Sequence, residues 1–180
     1  MRLRAQATET LVKGARLDRY RIIHFATHGL LAADTLDLTG TRSEPALVLS
    51  PPDTASELDD GLLTASEISA LKLNADWVVL SACNTAAGAG GASEALSGLA
   101  RAFFYAGARA LLVSHWPVGS DAAVRLTTGA FNELRASPAI GRAEAMRRSM
   151  TALLDKGPPE EAHPAFWAPF SVVGEGGAAR

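Results

Sequence analysis

Residues 20–29 read Tyr20-Arg21-Ile22-Ile23-His24-Phe25-Ala26-Thr27-His28-Gly29, and the interpretation of this stretch decides the fold. Its middle is almost continuously apolar and ends in a polar turn. That is the pattern of a strand covered on both faces in a parallel sheet, not the alternation of a half-exposed one. Asp76-Trp77-Val78-Val79-Leu80-Ser81 and Arg109-Ala110-Leu111-Leu112-Val113-Ser114 share it. Between and after them, apolar residues recur three and four apart, predicting helices over about 93–106, 121–136 and 142–156. Strands alternating with helices make an α/β domain with a mostly parallel sheet.

The remaining segments fill in around this frame. A first helix is expected from Ala7 to Leu17, with Leu11, Val12 and Ala15 on one face. Residues 30–62 are irregular, with a short apolar run from Ala46 to Leu49 among the turn formers Pro51, Pro52, Asp53, Asp60 and Gly61, and predict a hairpin-like excursion. Thr64-Ala65-Ser66-Glu67 is a capping box opening a short helix to about Leu71, since the hydroxyl and the carboxylate can satisfy free amides of the first turn. A last strand is expected from Phe166 to Val173, with a frayed tail from Gly174. No repeat or linker divides the chain, so residues 1–180 are one domain.

Composition narrows the function classes. With 48% hydrophobic and 20% charged residues, the chain can bury a core. A net charge of −2 with scattered basic residues argues against nucleic acid or an anionic membrane as partner. No apolar stretch approaches a membrane span, and Met1-Arg2-Leu3-Arg4 leads into polar residues instead of a signal-peptide core, so a cytoplasmic location is the default. Cys83 is the only cysteine, which excludes an internal disulfide and a cysteine-rich zinc cluster.

In open parallel sheets, ligands bind beyond the carboxyl ends of the strands. Three strand ends here carry chemistry: His28, Cys83, and the Ser114-His115-Trp116 loop. A thiol needs a neighbouring base to be a good nucleophile at neutral pH, and the same imidazolium can then protonate a leaving amine. His28 and Cys83 supply both parts. The alternative for Cys83 is a buried thiol packing as a small hydrophobe.

Other features carry less. His24 and His28 form a His-x-x-x-His pair, but zinc would need that spacing on a helix, and it falls on a strand with no further ligand nearby. His24 therefore reads as a core histidine bonded to backbone. His115 either lines the cleft or has no role, and His163 reads as structural. Gly88-Ala89-Gly90-Gly91 lacks the spacing of a phosphate-binding loop, and Ser93, Ser97 and Ser120 lack a nucleophile elbow.

The segments Ile23-His24-Phe25-Ala26-Thr27-His28-Gly29, Leu80-Ser81-Ala82-Cys83-Asn84-Thr85 and Gly98-Leu99-Ala100-Arg101-Ala102-Phe103-Phe104-Tyr105-Ala106-Gly107-Ala108 closely resemble the CHAT family, caspase-like domains often fused to TPR repeats. So do Trp116-Pro117-Val118 and His163-Pro164-Ala165-Phe166-Trp167-Ala168-Pro169-Phe170, and the resemblance runs from about Ala7 to Gly174. The spacing of about 55 residues from His28 to Cys83 is close to the roughly 50 of caspases, a weaker signal than the segments.

The resemblance implies a caspase-hemoglobinase-like three-layer sandwich that lacks its N-terminal strands here, because only one predicted helix precedes the histidine strand. It implies a cysteine endopeptidase acting on a protein or peptide through His28 and Cys83, with backbone amides near Gly29 and Cys83 holding the oxyanion and no metal or organic cofactor. The corresponding S1 pocket points to Ser81, Trp116 and Asp121 as substrate-binding residues; Asp121 would favour a basic side chain, or would instead cap the following helix in competition with Ser120. A TPR-containing or other regulatory partner is expected, and self-association through an open sheet edge. The rivals are a catalytically silent interaction or signalling module of the same fold and a nucleotide-binding α/β domain.

Overall fold

The computed structural model describes residues 6–41, 44–52, 54–56, 58–81, 95–116 and 118–178. Cys83, the glycine run 88–91, Ser93, the side chain of Ser97, and Pro117 lie outside the described residues or side chains.

The three apolar stretches form strands β1 (Ile22–Phe25), β5 (Trp77–Leu80) and β6 (Ala110–Ser114), separated by the excursion and helices expected between them. With β7 (Phe170–Gly174) they make a four-stranded sheet in the order β1-β5-β6-β7. The first three strands run parallel and β7 runs antiparallel to β6. β1 and β5 are locked in register from Ile22 opposite Trp77 to Phe25 opposite Leu80. Arg21 binds Asp76 at the entry to this pair. The chain is a mixed α/β domain with a mostly parallel main sheet.

Helices lie on both faces. On one, α3 (Ala65–Ala70) and α4 (Ala95–Ala106) pack together, and Phe25, Val78, Leu80, Leu111 and Val113 meet Phe103 in the larger core. On the other, α5 (Ser120–Ala136) and α6 (Arg142–Lys156) form an antiparallel pair over Trp77, Val79 and Leu112. Alternation of side chains along each strand sorts the residues between the two layers. Phe25 and Phe103 stack tilted with centroids 5.5 Å apart, and Trp77 and Phe131 do so at 5.2 Å. Burying each such side chain stabilises the fold by about 1.5–3 kcal/mol. At the end of α4, Gly107 turns the chain with φ of 107°, and a Cβ there would sit 2.5 Å from the Leu73 carbonyl oxygen.

The excursion is more ordered than a hairpin. β2 (Gly29–Leu30), β3 (Ala46–Val48) and β4 (Leu62–Thr64) form a separate antiparallel sheet in that order, and α2 (Ala32–Thr39) occupies ground expected to be irregular. The Thr64 capping box forms as expected, its hydroxyl and the Glu67 carboxylate bonding each other's turn at the start of α3.

Four expectations are corrected. The first helix, α1, is only Glu9–Lys13, because Thr8 caps its start and Gly14 ends it. It is pinned less by an apolar stripe than by Glu9, which is 1% exposed and accepts from the amides of Asp60 and Gly61. Lys13 joins Glu9 to Glu67 of α3. Burial raises the Glu9 pKa above the ordinary carboxylate value, while the Lys13 bond opposes that rise. The last strand begins at Phe170, not Phe166, since Pro164–Phe166 forms a short 3-10 turn. The tail does not fray at once: the Arg142 Nε donates to the Glu175 carbonyl and Ala143 N to that of Gly176. Finally, β1 is not buried on both faces: Ile22 is 47% exposed and only Phe25 is buried. The pair α5 and α6 packs over β5, β6 and β7 but stops short of β1, and among the described residues β1 is the sheet's edge. No helix among them is long and apolar enough to cross a membrane.

Candidate active site

The shortfall of helix over β1 leaves a cleft of about 490 Å³. One wall is the outer face of β1 and the end of β5, with His24, Ala26, His28 and Ser81; the other is α5, with Val124, Thr127, Thr128 and Phe131. It opens at the carboxyl ends of two adjacent parallel strands, where an α/β sheet offers its loops to a ligand.

His28 reaches the cleft because the chain leaves β1 and is caught by the small sheet. Thr27 donates its hydroxyl to the Val48 carbonyl, and the Val48 amide donates to the His28 carbonyl at 2.8 Å. Gly29 then pairs with Leu47, so the histidine lies at a junction held from both sheets. The imidazole itself remains exposed to the cleft. Ser81 extends the β1–β5 ladder by one step, its amide donating to the Phe25 carbonyl at 3.0 Å.

His24 departs from the core reading. It lies on the exposed face of β1, on the same side of the sheet as Val79 and Ser81, and its Nε2 is 2.6 Å from the Ser81 hydroxyl. The ring opens to the cleft, yet its surroundings remove enough water to lower its pKa below the ordinary histidine value. The available signal in the sequence was parity: His24 and Ala26 on one strand and Ser81 on the next share a face once the register is known.

The structure thus brings His28 and Ser81 to one cleft and leaves three other expected residues, Gly29, Trp116 and Asp121, outside its lining. Trp116 is 41% exposed and donates its indole N–H to the Ala165 carbonyl at 3.1 Å. Asp121 sits exposed in the first turn of α5, where a negative charge suits the helix dipole and attracts Arg125. Neither Asp121 nor Ser120 caps that helix, whose N-cap is Gly119 with no side-chain bond. His115 bonds the Ser171 hydroxyl of β7, and His163 accepts from the Ala165 amide. Among the described residues, no three His, Cys, Asp or Glu side chains gather as metal ligands.

Comparison with known proteins agrees with this architecture. The model of the CHAT domain family matches residues 1–175. Tetratricopeptide repeat protein 28 of mouse is 31% identical over 198 aligned residues, covering 94% of this chain and 8% of that protein. Its human counterpart is 30% identical over 196, covering 93% and 8%. The chain therefore spans 8% of the length of these relatives. With a match across nearly all its residues and a caspase-like sheet beneath it, the chain belongs to the CHAT domain family.

Proposed function

We propose that the domain is a caspase-like cysteine endopeptidase in which Cys83 is the nucleophile and His28 the general base and acid. The observation that supports this most is the meeting of His28 and Ser81 at the ends of adjacent parallel strands, since Cys83 follows Ser81 by only two positions in the chain. His28 takes the thiol proton as the sulfur attacks the peptide carbonyl, and backbone amides at Gly29 and Cys83 receive the oxyanion. The imidazolium then protonates the leaving amine, and water, deprotonated by the same ring, releases the acyl group.

Control by a partner fits the same reading. The relatives are named for tetratricopeptide repeats, which supports a repeat-bearing regulator, and the edge position of β1 among the described residues supports strand addition by another segment or chain, including self-association.

A peptidyl electrophile should label the wild-type chain and leave Cys83→Ala unlabelled. His28→Ala should slow labelling and peptide turnover by about 10²–10⁴, the usual contribution of a positioned acid–base group. Both variants should melt as the wild type does. Turnover near the wild-type rate in either variant would overturn the dyad assignment, and no labelling of the wild type together with a repeat-bearing partner would favour the silent interaction module instead.

A further inference from the structure

His24 and Ser81 form a second polar centre in the cleft, bridged at 2.6 Å across β1 and β5. No lysine, arginine, aspartate or glutamate lines this cleft among the described residues. Its polar groups are the imidazoles of His24 and His28 and hydroxyls including those of Ser81, Thr127 and Thr128. A basic side chain entering it would be desolvated without a counter-charge. An acidic one would meet a group able to become its counter-ion.

We propose that the His24–Ser81 pair is the recognition group of a subsite for a peptide carboxylate, whether an acidic side chain or a chain terminus; as a specificity subsite it rests on the peptidase reading of the same cleft. The chemistry follows from the hydrogen bond. In the neutral tautomer that carries its proton on Nδ1, the Ser81 hydroxyl donates to Nε2. When the ring takes up a proton, Nε2 donates to the Ser81 oxygen and the hydroxyl hydrogen is freed. The pair then presents a donor at the Ser81 hydroxyl, another at Nδ1, and one positive charge, so a carboxylate can accept from either donor and neutralise that charge.

The surroundings of His24 favour the neutral ring. Desolvation alone lowers the His24 pKa, with no charged neighbour contributing. The facing residues of α5 are uncharged, and His28 is the other titratable group in the lining. A bound carboxylate supplies the missing charge, so binding draws a proton onto His24, and affinity falls as the pH rises past the point where the complex loses that proton.

The test uses Cys83→Ala protein with labelled histidines, so that turnover cannot intervene; the chain has 4 histidines, few enough to follow each imidazole by NMR. The probes are acetyl-Ala-Ala-Glu amide, the Gln and Lys amides, and acetyl-Ala-Ala-Gln with a free carboxyl terminus. At about pH 6 the carboxylate-bearing peptides should bind about tenfold more tightly than the Gln amide and raise the His24 pKa by about one unit, two readings of one linkage. The Glu amide reports an acidic side chain and the free acid a terminus. The preference should vanish in His24→Gln and shrink in Ser81→Ala. Equal binding of all four probes, a preference that survives in His24→Gln, tighter binding of the Lys amide, or no response at His24 up to about 10 mM of either carboxylate would overturn the proposal. A carboxylate preference in a chain that no electrophile labels would defeat the peptidase reading and leave the subsite standing. Labelling without that preference would do the reverse.

Discussion

Strands β1 and β5 lie side by side in matched register, yet their burial differs at nearly every position. Trp77, Val78, Val79 and Leu80 are all buried, while along β1 only Phe25 is. The inner face of β1 is served by the same α3–α4 layer as β5, since Ile23 and Phe25 join that core. What differs is the outer face, where the α5–α6 layer covers Trp77 and Val79 but leaves Ile22 and His24 open. The cleft is therefore the uncovered face of a strand. The shortfall of helix produces the candidate site, and separately the lack of a strand beside β1 among the described residues leaves it an edge open to other chains.

The largest test of this contrast is a pair of truncations. Leu80→Ala should cost about 2–5 kcal/mol, as core leucines do when the site cannot collapse. Ile22→Ala, on the neighbouring strand and just as apolar but open to solvent, should cost less than about 1 kcal/mol. Urea denaturation measures both, and an equally costly Ile22→Ala would mean that something covers β1 in solution. A smaller effect is expected from Ile22→Lys, which places a charge on the edge strand. It should leave the melting temperature nearly unchanged and weaken any self-association seen by sedimentation. Association untouched by that change would place the contact elsewhere.

The smallest effect is on the pH dependence of stability. The His24 pKa is lowered in the folded chain, so the unfolded chain takes up its proton first as the pH falls. The favourable contribution of the neutral ring is present above the ordinary histidine value and is lost in the acid range below it. Because the ring is open to the cleft, the loss should be less than about 1 kcal/mol after solvent screening. His24→Gln should flatten stability between about pH 7 and pH 5 relative to wild type, and an unchanged slope would mean that His24 is freely solvated.

Much of the sheet was readable because its strands are apolar runs bounded by turns, and the Thr64 capping box was readable because its bonds are local. Helix α2 was missed since Ala32-Ala33-Asp34-Thr35-Leu36-Asp37-Leu38-Thr39 mixes in aspartate and threonine, poor helix formers away from the ends. Asp34 supplies the start signal instead, accepting from the Leu31 amide. The extended first helix failed at Gly14, whose turn ends α1. His28 and Ser81 were legible as strand ends, whereas the His24–Ser81 bond depends on the β1–β5 register, which no local pattern states.

The sequence by itself determined the three parallel strands, the long helices α4, α5 and α6, the parity of residues along each strand, and the identity of the groups at the strand ends, because these depend on chain-local periodicity and on turn chemistry. Only the tertiary structure decided that β1 keeps one face bare, that Trp116 and Asp121 stand outside the cleft while His24 stands within it, and that Glu9 is buried under the turn at Asp60. Burial is settled by whichever element packs overhead, and that element comes from a distant part of the chain: α5 begins about a hundred residues after β1, beyond the reach of any window that reads the strand alone.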